Sequence, residues 1–183
     1  MAVRIITDSA ADFEPWELEA LKVVCVPLSV TFGEREYQEN AELSKERFYD
    51  LLKRERSFPR TSQPSPDAFL AAVRAAEDGG EESVIVTLSS GLSGTYQSAC
   101  TAKTLSESDR CYVVDSLNGT GGERLLVEYA VRLRDQGRSA REIAEALEDA
   151  RTKVILYACM DTLEYLHRGG RISQTVYRLG SIA

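Results

Sequence analysis

The sequence predicts an α/β protein with a mainly parallel sheet flanked by helices. Short apolar runs rich in β-branched residues alternate with longer stretches of helical period, the pattern of repeated βαβ units. Helix-start signals stand where the period changes, and the segments after the expected strands are rich in serine, threonine and glycine. With 183 residues, 43% of them hydrophobic, the chain is long enough for one domain and part of a second.

Taken in order, residues 3–7 (VRIIT) and 23–29 (VVCVPLS) read as the first strands. The stretch TFGEREYQEN, residues 31–40, alternates weakly about Gly33 and predicts a small hairpin. Phe48, Leu51 and Leu52 recur at helical intervals, as do Phe69, Leu70 and Val73, so each set makes one buried helical face. Ser65 before Pro66 supplies an N-cap and a first-turn proline for the second of these helices, and Gly79-Gly80 stops it. Residues 84–88 (VIVTL) read as a strand, followed by a helix from near Thr95; residues 112–114 give the next strand. Leu125, Leu126, Tyr129, Ala130 and Leu133 line a further helix that Gly137 ends, and Ser139 with Glu142 forms the capping box of a helix reaching about residue 152. The run VILYACM, residues 154–160, predicts a last strand, and from Leu163 onward two short helical patterns are divided by Gly169-Gly170. Residues 1–160 are thus expected to form one lobe carrying the binding loops. Residues 161–183 would be a linker and the start of a second lobe continuing beyond Ala183.

Charge narrows the partners. The 29 acidic and 22 basic residues leave a net charge of −7, which repels phosphate backbones and argues against nucleic acid. No apolar run reaches the roughly 20 residues that span a bilayer, and the start lacks a signal-peptide pattern, so a cytoplasmic protein without stable membrane insertion is expected. The cysteines form no CxxC pair; Cys25, Cys111 and Cys159 sit in apolar runs and read, with Cys100, as buried reduced thiols.

In open parallel sheets ligands bind outside the carboxyl ends of the strands. The segments that would meet there are TDSA with Asp8 and Ser9, SSGLSGT with Ser89, Ser90, Gly91, Ser93, Gly94 and Thr95, and DSLNGTGG with Asp115 and Ser116. The second leads straight into a helix, whose unpaired first amides and dipole favour a small anion such as a carboxylate or phosphate. The same hydroxyls also suit plain loop and capping duty, so a non-catalytic structural or regulatory domain stays open. A serine hydrolase using Ser93 is the other alternative: GLSGT begins like a nucleophile elbow, but Thr95 replaces the final glycine and the single histidine, His167, lies far downstream. GTGGER carries Arg124 where a dinucleotide fingerprint needs glycine, and there is no G-K-[ST]. Glu164-x-x-His167 is half of a di-iron motif without its second half, so no metal or cofactor is expected. Arg168, Arg171 and Arg178 read as a solvated basic face that could meet an acidic partner or a ligand's head group.

TDSAAD, RTSQPSP, SSGLSGTYQSA, VVDSLNGTGG and LEYLHRGGRIS fall in the order and spacing of the DegV family, and the chain resembles that family over its whole length. The family comprises bacterial fatty-acid-binding proteins, including the FakB subunits of fatty acid kinase. The resemblance implies that a long-chain fatty acid is the ligand and a fatty acid kinase catalytic subunit the partner. It also implies that Thr61 and Ser93 hydrogen-bond the fatty acid carboxylate, with Ser62 and the other loop residues supporting them. The acyl tunnel would belong largely to the second lobe, so this stretch alone is expected to hold ligand weakly or not at all and to associate.

Overall fold

The computed structural model describes residues 2–55 and 57–180. Met1 and residues 181–183, the outer ends of the two expected segments, lie outside them. A parallel sheet is built from β1 (Val3–Asp8), β2 (Val23–Val26), β6 (Glu82–Thr87) and β7 (Cys111–Asp115), in the order β2-β1-β6-β7. A second, antiparallel sheet joins β3 (Ser29–Phe32), β4 (Arg35–Gln38) and β5 (Arg60–Ser62), in the order β4-β3-β5.

The central strands β1 and β6 are buried on both faces, which is why they read as near-continuous apolar runs. One core lies between the sheet and α5 (Thr120–Asp135) with α6 (Ala140–Ala150), where Ile5, Val84, Val86, Leu126, Val127 and Ile143 meet. The other lies between the sheet and α3 (Pro66–Asp78) with α4 (Thr95–Ser106), around Ile6, Ile85, Phe69, Val73 and Ala99. Each valine, leucine, isoleucine and phenylalanine among these contributes about 1.5–3 kcal/mol when fully buried. α1 (Pro15–Leu21) edges the first core, and α2 (Lys45–Arg54) covers the small sheet through Phe48, Leu51 and Leu52.

Helix ends follow the sequence signals. Ser65 Oγ accepts the Ala68 N–H at the start of α3, and Ser139 and Glu142 close a reciprocal capping box on α6. The expected hairpin is β3–β4: Phe32 pairs with Arg35 across a two-residue turn, and Gly33 takes the positive φ of 60° that glycine tolerates best.

Three expectations are corrected. Residues 23–29 are two strands: Pro27 has no N–H to donate, so β2 ends at Val26 and β3 departs into the other sheet. Residues 154–160 are no strand; they run without ladder partners, leaving Ile155 71% and Tyr157 88% exposed. Cys159 lies on that run and is exposed, while Cys25 and Cys100 are partly buried and Cys111 fully buried. Two short helices follow, α7 (Glu164–Arg168) and α8 (Gln174–Gly180). Among the described residues, no helix is long and apolar enough to cross a membrane.

Candidate functional site

The carboxyl ends of β1, β6 and β7 carry Asp8, Thr87 and Asp115, and the loops leaving them are tied together by hydrogen bonds. Asp8 accepts the Ala10 N–H at 2.9 Å on one oxygen and the Leu88 N–H at 2.8 Å on the other. That second bond joins the ends of β1 and β6, the point where strand order reverses and where doubly wound folds ordinarily leave a ligand crevice. Here a carboxylate of the chain fills it. Burial, partly offset by those amides, pushes Asp8 up to about 6.

Asp115 accepts the Ser90 and Leu117 amides at 3.2 and 3.0 Å, and the Ser89 N–H donates to the Asn118 carbonyl at 2.8 Å. Ser9 accepts the Leu28 N–H and donates to Glu39, linking the two sheets. Ser116 donates to the Asn118 carbonyl and accepts its N–H, while Ser89 Oγ accepts the Gly91 N–H. Asp8, Ser9, Asp115 and Ser116 are buried; the two serine hydroxyls, both Asp8 oxygens and one Asp115 oxygen are spent on holding loops.

Displaced toward the small sheet is an open cleft of about 500 Å³. It is lined by Thr61 and Ser62 of β5, by Gly91, Ser93 and Gly94 of the loop before α4, and by Gly169, Gly170 and Arg171 behind α7. Thr61 and Ser62 belong to a strand, paired through Val30 and Ser29, rather than to a loop. Ser93 Oγ lies 2.9 Å from Thr95 Oγ1 and accepts the Thr95 N–H at 3.3 Å. Thr95 is fully buried, so its hydroxyl has Ser93 as the available acceptor; when Thr95 donates, the Ser93 proton is free to donate outward. Ser93 and His167 are not hydrogen-bonded: the imidazole stacks on Tyr177 at 4.7 Å between ring centroids.

Gln63 and Gly94 clamp the two halves of the cleft. Gln63 Nε2 donates to Ser98 Oγ at 2.9 Å across the first turn of α4, and a Cβ on Gly94 would collide with the Gln63 carboxamide. Gly94→Ala is therefore expected to displace a flexible side-chain end, changing unfolding free energy by about 1 kcal/mol or less while spoiling the cleft. Urea unfolding alongside ligand titration checks this; a large stability loss with unchanged affinity contradicts it.

Sequence reasoning missed Gln63 and underweighted Arg171, although both stand inside motifs that it singled out. Arg171 Nε donates to the Leu92 carbonyl at 3.2 Å and another guanidinium N–H to Gly169 at 2.8 Å, drawing the segment after α7 onto the loop of Ser93. Among the described residues no cluster of three or more histidine, cysteine or acidic side chains is arranged to hold a metal.

Fold and cleft define an α/β protein with a hydroxyl-lined cleft beside the carboxyl edge of its parallel sheet. The chain belongs to the DegV family of uncharacterised proteins, whose family model matches residues 2–183. It is 37% identical over 181 residues to a DegV domain-containing protein of Halalkalibacterium halodurans, covering 98% of this chain and 64% of that protein. Its fold matches a Thermus thermophilus DegV family protein studied for fatty acid binding, with a TM-score of 0.86 and 31% identity over 99% of this chain and 64% of that one. It also matches the Streptococcus pneumoniae fatty acid kinase (Fak) B3 protein loaded with linoleic acid, with a TM-score of 0.80 and 25% identity over 100% of this chain and 65% of that one. The chain thus spans less than two thirds of the length of these relatives, at 64%, 64% and 65%.

Proposed function

We propose that this chain carries the head-group half of a fatty acid carrier. The long-chain fatty acid carboxylate is held at Thr61 and Ser93 and presented to a separate fatty acid kinase catalytic subunit. The observation that carries the reading is the joint lining of one cleft by these two hydroxyls, brought together from a strand edge and a helix-leading loop. The fatty acid ligands of the structural relatives support it.

Neutral donors suit that task. Two hydroxyls satisfy part of a carboxylate's lone-pair capacity without the bidentate grip of an arginine, leaving an oxygen able to act as nucleophile. In the kinase step that oxygen attacks the terminal phosphorus of a nucleoside triphosphate, the bond to the diphosphate breaks, and an acyl phosphate forms. The nucleotide chemistry belongs to the partner, and the reading places this protein in the cytoplasm, where that nucleotide is supplied. Residues 1–160 would form the lobe holding the head group, and 161–183 would lead into the remainder of the carrier.

A fatty acid labelled with ¹³C at its carboxyl tests the reading. The carboxyl resonance is expected to shift and broaden on adding the protein, and the complex to be phosphorylated by a fatty acid kinase catalytic subunit. An unshifted resonance at saturating protein overturns carboxylate binding; a bound but unphosphorylated acid overturns presentation.

A further inference from the structure

The hydroxyl-lined cleft has one apolar feature. Among the described residues lining it, Leu92 carries the single large apolar side chain; the others are hydroxyl, carboxamide or guanidinium groups, or glycines. Leu92 directly precedes Ser93, and consecutive Cα atoms lie about 3.8 Å apart, so an apolar surface begins one residue from a proposed carboxylate donor.

An exposed leucine is ordinary on a protein surface, and Leu92, at 43% exposure, would elsewhere carry no meaning. Here its backbone is fastened on both sides. The Leu92 N–H donates to the Ser89 carbonyl at 2.9 Å, and the Leu92 carbonyl accepts Arg171 Nε at 3.2 Å. Its side chain also has a direction. A Cβ added to Gly119 would stand 3.8 Å from Leu92 Cδ1 and 2.9 Å from Leu88 Cδ1, so both leucines reach the bare backbone at the start of α5. The loop of Gly119 is tied to that of Leu92 by the Ser89 N–H, which donates to the Asn118 carbonyl at 2.8 Å. Leu92 and Leu88 thus make an apolar ledge that starts in the cleft and runs toward α5, on loops joined by backbone hydrogen bonds.

We propose that Leu92 is the first acyl-chain contact: it seats the methylenes next to the carboxylate and turns the chain toward the start of α5. The inference rests on the carboxylate reading of the cleft. Hydroxyls alone serve any small anion, whereas a fatty acid presents methylenes immediately behind its carboxylate, and covering a leucine with them releases water from both. Leu92 therefore selects, among the anions that Thr61 and Ser93 can bond, those with an apolar chain beside the carboxyl carbon.

The test is a titration of the chain with straight-chain acids from acetate to hexanoate, labelled with ¹³C at the carboxyl and followed by that resonance. A fully buried methylene adds about fourfold in affinity, and one resting on an open ledge gains less, so wild-type affinity is expected to rise roughly twofold per added carbon. Leu92→Asn is expected to abolish the rise, and Leu92→Met to keep it. Leu117→Asn is the control: that leucine is 48% exposed on the neighbouring loop but does not line the cleft, and its replacement should leave the rise intact. Thr61→Val should weaken all the acids alike and preserve the rise. Urea unfolding of each variant checks that the fold is retained.

The proposal is overturned if acetate binds but wild-type affinity stays flat across the series, or if Leu92→Asn rises as the wild type does. Slower phosphorylation of the bound acid in Leu92→Asn, with the rise intact, would assign Leu92 to the kinase surface and overturn it too. No carboxyl shift with any of the acids is the failure of the carboxylate reading itself, and the role of Leu92 falls with it.

Discussion

Thr61→Val is expected to weaken fatty acid binding roughly ten- to a hundredfold while leaving the fold as stable as before. A hydrogen bond to a charged group contributes about 1.5–3 kcal/mol, and each 1.4 kcal/mol is a factor of about ten in affinity. Valine keeps the β-branched shape that suits β5, and the ladder partner Val30 is unaffected because pairing runs through the backbone. Thr61 is exposed, and its hydroxyl has no hydrogen-bond partner among the described residues, so its removal leaves no buried group unpaired. Ser93→Ala is expected to cost binding to a similar degree but also stability. It removes the partner of the buried Thr95 hydroxyl, and an unsatisfied buried group costs about 1–3 kcal/mol. Calorimetric titration with a long-chain fatty acid beside urea unfolding separates the two. Wild-type affinity in Thr61→Val would remove that hydroxyl from the site.

The fold was legible wherever one residue type decides the local geometry. Ser65 with Pro66 and Ser139 with Glu142 placed two helix starts, and Gly33 placed the hairpin, because caps and positive-φ turns are local chemistry. Sheet membership is not local. VVCVPLS reads as one extended run, yet Pro27 divides it between two sheets, a signal that the proline itself carried. VILYACM has the composition of a strand and no partner edge among the described residues, so its extended preference produces exposed apolar side chains instead of a ladder.

For the site, the sequence could indicate which loops gather at the sheet's carboxyl edge but not which of their hydroxyls stay free. Serine is equally suited to bonding its own loop and to bonding a ligand. Ser9, Ser89 and Ser116 proved to be internally bonded, whereas Thr61, and Ser93 despite its bonds to Thr95, line a cleft. The clamp of Gln63 against Gly94 was hidden because it depends on β5, three residues long and too short for period-2 patterning to register. Arg171 was visible as a basic residue; that it crosses to Leu92 is a long-range contact.

Glu123→Gln is expected to raise stability at pH 8 and to flatten the fall of stability that sets in above about pH 4.5. Glu123 sits in the first turn of α5, fully buried, where Thr7 Oγ1 donates to one carboxylate oxygen at 3.2 Å and the other has no partner. Burial first, then the nearby Asp8 carboxylate, pushes Glu123 well above the usual carboxylate range. A raised folded-state value means that the native protein binds the proton more strongly than the unfolded chain does. The stability from that proton is complete below about pH 4.5 and is lost as pH rises through the folded value. Asp8 adds an overlapping window, since its rise from 3.8 to about 6 removes about 3 kcal/mol between those pH values. Glutamine is neutral throughout and keeps an oxygen to accept from Thr7, so the variant should retain the decline due to Asp8 and lose the share due to Glu123. Urea unfolding from pH 4 to 9 measures both curves. Parallel curves for the wild type and Glu123→Gln would mean that Glu123 is already ionised in the folded protein and contributes no such proton.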